Sequence, residues 1–176
     1  MKYHIIGSGK IKEPYLAAGI SEFLKRLTPY GQVKVTETAE ERMPENPSAA
    51  QKRQVLEKEG TRLLKYVREG SYLFVLDVAG DLISSEELAE TLAALSLRGY
   101  SEFSFIIGGP FGLSEAVRKR ADTCISFGRI TLTHQMIRMV LLEQLYRAVK
   151  IQRSRIIYSF KRRIFPLSGK YSIIQV

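Results

Sequence analysis

Residues 105–116 read FIIGGPFGLSEA, and residues 131–148 read TLTHQMIRMVLLEQLYRA. In the first stretch an apolar run ends in a Gly-Gly-Pro-Phe-Gly turn, and a helix is expected just beyond it. Glycine lets a backbone approach a ligand closely, and the amides at a helix start are free donors. The turn lacks the lysine and the serine or threonine of a P-loop, so a triphosphate fits it poorly. A neutral or cationic ligand held by backbone amides and carbonyls fits better, and turn chemistry alone also explains the residues.

Working outward, strand and helix patterns alternate along the chain. Residues 2–7, 33–38, 72–78, 103–107 and 123–127 read as strands, and residues 72–78 (YLFVLDV) have the near-continuous apolar pattern of a central parallel strand. Helices are expected over residues 15–27, 51–69, 84–97, 114–121 and 135–151. Ser84 or Ser85 is expected to cap the third of these, with Glu86 and Glu87 in its first turn. The polar stretch AEERMPENPSAA at residues 39–50 carries Pro44 and Pro47 and is expected to be a loop. This alternation predicts the α/β class: a mainly parallel sheet with helices on both faces. No internal repeat is present.

The chain has 176 residues, 45% of them hydrophobic and 26% charged, which suits one globular domain. The opening MKYHIIGSGK has too short an apolar run for a signal peptide, and no segment reaches membrane-spanning length, so a cytoplasmic protein is expected. The single cysteine, Cys124, cannot form an intramolecular disulfide and is expected to act as a small buried hydrophobe. No metal is expected, because no Cys/His cluster has ligand spacing. Net charge is +9, but six cations lie in the acid-free residues 153–176, so removing them leaves +3. Such a body is only mildly basic, and charge alone does not identify a nucleic-acid binder.

Other short motifs divide between ligand sites and plain structure. Gly7-Ser8-Gly9 follows the first strand but has Lys12 where a dinucleotide fingerprint needs its third glycine, so a tight turn is the better account. Residues 127–133 (FGRITLT) lie between a short strand and the long helix, where α/β folds commonly place a ligand. Leu76, Gly108 and residues 127–132 mark the C-terminal ends of three strands, which converge in a parallel sheet. In the long helix, Met136, Val140, Leu141, Leu145, Ala148 and Val149 form an apolar side, expected to be core or interface. Glu143 and Arg147 have the spacing of a helix-surface ion pair. His134, at the helix start, has a suitable pKa for proton transfer, although a structural role is the commoner one.

Four segments taken together resemble the ribosomal large-subunit methyltransferase H family, the pseudouridine N3-methyltransferases of the SPOUT class. They are KEPYLAAGISEFLKRL at residues 12–27, LDVAG at 76–80, IIGGPFGLS at 106–114 and LTHQMIRMVLLEQLYRA at 132–148. The resemblance covers residues 1–152, read as a single methyltransferase domain. It implies an α/β knot of the SPOUT trefoil type in the C-terminal half and a homodimer with the long helix at its interface. It also implies methyl transfer from S-adenosylmethionine to N3 of a pseudouridine in 23S rRNA, with ribosomal RNA or the ribosome as partner.

The cofactor positions implied by that resemblance are Leu76, Gly108, Gly109, Phe127, Gly128, Arg129, Ile130, Thr131 and Leu132. The apolar members would wall the adenosyl group while loop backbone reads its polar edge. His134, Arg138, Tyr146 and Arg147 are the candidate catalytic residues. The histidine is a candidate base, the arginines would stabilise a developing anion or grip phosphate, and the tyrosine would bond to or stack on the base. One segment departs from the family. Family members usually end soon after the LYRA helix with Tyr-His and a basic residue, an ending that by the resemblance helps build the target-base site, whereas residues 153–176 here form an atypical basic tail without histidine. Two alternatives stand beside this reading: a non-catalytic RNA-binding protein on the same fold, and a SPOUT methyltransferase acting on another RNA such as tRNA.

Overall fold

The computed structural model describes residues 1–164; residues 165–176, the distal part of the basic tail, lie outside the described residues. Five strands form one sheet: β1 (Lys2–Ser8), β2 (Gln32–Thr38), β3 (Tyr72–Leu82), β4 (Glu102–Ile107) and β5 (Thr123–Ser126). Their order is β2-β1-β4-β3-β5, and every neighbouring pair is parallel. All five C-terminal ends therefore share one edge.

The two-residue period of the strands divides the core. Tyr3, Ile5, Phe74, Phe103 and Phe105 point to one face and meet α1 (Pro14–Leu27), α3 (Ser85–Leu97) and α5 (Met136–Ile164) through Ile20, Leu88, Leu92, Leu141 and Leu145. Ile6, Leu73, Val75 and Ile106 point to the other face, against Leu63 of α2 (Ala49–Leu64) and Val117 of α4 (Glu115–Arg120). Each fully buried aliphatic or aromatic side chain contributes about 1.5–3 kcal/mol. Helices cover both faces, as the alternating pattern predicts.

Serines fix the starts of α2, α3 and α4. Ser84 Oγ accepts from the Glu87 amide at 3.1 Å while Glu87 Oε2 accepts from the Ser84 amide at 2.7 Å, and Ser48 and Gln51 form the same reciprocal box ahead of α2. That second box starts α2 two residues before the expected position, and the helix stops at Leu64 instead of residue 69. Two further boundaries differ from expectation. Strand β3 runs four residues past Val78, its register against β5 shifting between Leu76 and Asp81. Helix α5 runs to Ile164 instead of ending at Ile151, since the chain offers no proline or glycine before Pro166 to stop it. The apolar side of α5 is used within the chain: Leu141, Leu145, Ala148 and Val149 are buried against the sheet and neighbouring helices. Cys124 is half-buried against the α2/α4 side of the core.

Candidate active site

Strand register assembles the site. Leu76 in β3 pairs with Ile107 of β4 on one side and Ile125 of β5 on the other. Gly108 directly follows Ile107, and Phe127 comes two residues after Ile125. Three segments far apart in sequence thus leave the sheet side by side, with half-buried Leu76 between them.

The middle strand end continues into a closed turn. Gly109 and Gly112 form an isolated bridge, and the Gly112 amide donates to the Gly109 carbonyl at 3.1 Å. Gly112 has φ +96°, a conformation that a side chain would strain, and open space lies where its Cβ would be. Beyond the turn, Ser114 Oγ accepts from the Val117 amide at 3.3 Å and starts α4. The turn is anchored to β3 by Arg118, whose Nε donates to Asp77 Oδ2 at 2.6 Å and whose Nη1 donates to the Leu113 carbonyl at 3.2 Å. Burial alone would raise the Asp77 pKa. The hydrogen bond and charge of Arg118, with the Ala79 amide, outweigh that and hold it below the ordinary value.

The third wall follows β5. Ser126 Oγ donates to the Gly128 carbonyl at 2.8 Å and bends the chain away from the sheet. Phe127 and Gly128 are half-buried, while Arg129 and Thr131 are exposed. Ile130 is 82% exposed, so this apolar side chain stands at the strand-end edge without protein cover. Leu132 is exposed as well. Thr133 Oγ1 then accepts from the Met136 amide at 3.1 Å, opening α5. Loop amides and carbonyls, the open space beside Gly112 and the uncovered side chains of Ile130 and Leu132 form a set that suits an adenosyl group.

The four candidate catalytic residues are not brought together. His134 sits at the shared edge, its Nε2 3.0 Å from Glu40 Oε1, but off the line that a hydrogen bond needs. Burial lowers its pKa below the ordinary histidine value, Glu40 opposes, and Arg138 and Lys12 add to the lowering. Arg138, expected to face substrate, is instead completely buried. Its Nη1 donates to the Gly9 carbonyl at 2.8 Å, its Nη2 donates to the Ser8 carbonyl, and Glu37 lies 3.6 Å away. Gly7 makes room for it: a Cβ there would lie 2.5 Å from Arg138 Nε. This guanidinium ties α5 to the end of β1 and leaves no surface for RNA.

Tyr146 and Arg147 lie about 12 Å further along α5, at 1.5 Å per residue. Tyr146 packs against Phe23 and Tyr30, the latter just ahead of the start of β2 and so at the opposite edge of the sheet. Arg147 Nε donates to Glu143 Oε1 at 3.0 Å on the exposed face, the ion pair that their spacing predicts. Within one chain neither joins the glycine turn.

Sequence reading missed Glu59. It is 3% exposed, on α2, close to Ser8 and Gly109. The available signal was its place four residues after Val55 and four before Leu63, which puts an acid on the helix's apolar stripe.

A five-stranded parallel sheet with helices on both faces and three ligand-competent loops at one edge defines the class. The chain belongs to the family described as "Predicted SPOUT methyltransferase", whose match spans residues 1–156. Its similarity extends to particular proteins. It is 56% identical over 151 residues to the ribosomal RNA large subunit methyltransferase H of Halothermothrix orenii, covering 86% of this chain and 95% of that relative. Identity is 50% over 149 residues to the protein of the same name from Pelotomaculum thermopropionicum, covering 85% and 93% respectively. It is 48% over 153 residues to that from Carboxydothermus hydrogenoformans, covering 87% and 96%.

Proposed function

We propose that this chain methylates N3 of a pseudouridine in 23S rRNA of the large ribosomal subunit, with S-adenosylmethionine as methyl donor. The observation that carries the reading is the pairing of Leu76 with both Ile107 and Ile125, which gathers the three loops at one edge. The name and high identity of relatives aligned over nearly their whole length support large-subunit ribosomal RNA as the substrate, and the family resemblance adds N3 of a pseudouridine. The chain is further proposed to act as a cytoplasmic homodimer, its C-terminal segment threaded as a trefoil knot. Among the described residues no helix is long and apolar enough to cross a membrane.

When bound, S-adenosylmethionine supplies an electrophilic methyl group on a sulfonium sulfur. The protein's part is to hold that methyl in line with N3 and to help N3 lose its proton. Leu76, Phe127, Ile130 and Leu132 would exclude water from the adenosyl group, while the backbone of residues 108–109 and 128–131 would hold its polar atoms. His134 is assigned as proton acceptor. Burial favours its neutral form, and it stands at the same sheet edge as the loops. His134 would take the proton on its imidazole as the N3–H bond breaks, leaving N3 free to accept the methyl group that the bound donor would supply. Arg147 and the cations of the tail are assigned to rRNA phosphates rather than to the reacting base.

The test is methyl transfer from labelled S-adenosylmethionine to ribosomes lacking the modification, followed by nucleoside mass analysis. N3-methylpseudouridine is expected. Label appearing only in bulk tRNA would overturn the substrate, and salt-sensitive RNA binding without any transfer would overturn the activity.

A further inference from the structure

Among the described residues, Glu59 is the one buried acid, and the reaction gives it no task. Glu59 faces inward from α2, and a carboxyl taken out of water must be held by partners or kept neutral. Its Oε1 accepts from the Glu41 amide at 2.8 Å, in the loop that follows β2. Its Oε2 faces the glycine turn: a Cβ on Gly109 would lie 3.1 Å from that oxygen and 3.3 Å from Ser8 Oγ. One carboxyl therefore touches the chain beyond β2, the end of β1 and the turn beyond β4. The next residue, Gly60, packs against Ser114, the N-cap of α4. Helix α2 thus bears on both ends of the 108–114 turn.

We propose that Glu59 is a positioning residue for the methyl-donor site: its carboxyl, braced by the Glu41 amide, sets the distance at which the Gly109 backbone stands from the sheet. The inference rests on the cofactor reading of that turn and adds a residue to it. A Cβ at 109 would press on the carboxyl and the Ser8 hydroxyl more tightly than an ordinary contact, so a side chain there forces both to give way. Burial raises the Glu59 pKa and the neighbouring Glu40 and Glu41 add to the rise, opposed by the Glu41 amide and by the Ser8 hydroxyl, which is close but outside hydrogen-bond geometry.

The experiment uses the full chain with Glu59→Ala, Glu59→Gln, Glu59→Asp and Gly109→Ala. Three quantities are measured: hydrogen exchange of amides 108–114 without ligand, calorimetric binding of S-adenosylhomocysteine, and kcat at saturating donor. Glu59→Ala orphans the Glu41 amide, so turn exchange should quicken and the Kd rise by about tenfold, the equivalent of one buried hydrogen bond. At saturating donor kcat should stay within about threefold, because a lost binding contact appears in affinity and not in the chemical step. Glu59→Gln, which keeps an acceptor of the same reach, should restore exchange and affinity.

Should Glu59→Ala fail to fold, the pair at 59 and 109 carries the test. Gly109→Ala should weaken binding, and the shorter Glu59→Asp should recover part of that loss in the double variant. Unchanged exchange and affinity in Glu59→Ala, a Glu59→Gln no better than alanine, or fully additive effects at 59 and 109 would each overturn the inference. A wild-type chain that does not bind S-adenosylhomocysteine while Glu59→Ala still loosens the turn would overturn the cofactor reading and leave the mechanical role standing.

Discussion

Arg138 brings a charge to a position with no exposed surface, and its partners are two main-chain carbonyls at the end of β1 with Glu37 nearby. Lysine cannot serve both carbonyls from one fixed fork. Arg138→Met should therefore cost about 3 kcal/mol in urea unfolding, because it leaves two buried carbonyls without a donor, and Arg138→Lys should recover little of it. Loss of activity with unchanged stability would return this residue to the substrate side. His134 makes the opposite prediction. Because its pKa is lowered, kcat should hold its plateau to a pH below the ordinary histidine range and fall only in more acid solution. His134→Gln should reduce kcat by about 10²-fold or more, the usual share of a general base, with donor affinity unchanged.

Glu59 gives a third residue-scale test. Its folded pKa is raised, so its contribution to stability is full below the unfolded glutamate value and is lost as pH rises through the folded one. The urea midpoint of the wild type should fall relative to Glu59→Gln as pH rises from mildly acidic to alkaline. A difference that stays constant with pH would contradict the assignment. Neither Arg138 nor Glu59 could be placed from sequence. An arginine in a helix among apolar residues reads as exposed, and the carbonyls that bury it belong to residues 8 and 9, some 130 positions earlier.

At the scale of elements, the glycine turn and the helix caps separate function from stability. Gly112→Ala forces a side chain into φ +96° and should cost about 1 kcal/mol while also weakening S-adenosylhomocysteine binding. Ser84→Ala removes the cap of α3, away from the turn, and should cost about 1 kcal/mol with binding intact. Equal effects of the two on binding would mean that the turn is scaffold and not site. Strand cores were legible, because Tyr3, Ile5 and Phe103, Phe105 alternate cleanly with Ile6 and Ile106 between the two faces. Element ends were less so. The extension of β3 beyond Val78 carries exposed Leu82 and a register shift that only pairing with β5 can specify. The capping box at Ser48 was hidden in a stretch whose prolines signalled a loop.

For the whole molecule, parallel pairing of all five strands puts every loop that can bind on one edge, and the helices of both faces fix that edge from behind. The gathering of Leu76, Gly108 and residues 127–132 was legible because each ends an apolar run. The separation of Tyr146 from them was not, since it depends on the direction in which α5 crosses the sheet. The basic tail adds a prediction at this scale. Replacing residues 154–176 with a short Tyr-His-Lys ending of the family type should raise kcat several-fold while donor affinity stays within about twofold, since such a change acts on the target base and not on the cofactor loops. No gain in kcat would refute it.

The most direct test of the central claim is a hydrogen-exchange map of the chain with and without S-adenosylhomocysteine. Protection is predicted at amides 76–79, 108–113 and 127–133, with the 7–12 turn after β1 changing little. Protection centred on the 7–12 turn, or spread evenly over the chain, would contradict the assignment of the donor site to the ends of β3, β4 and β5.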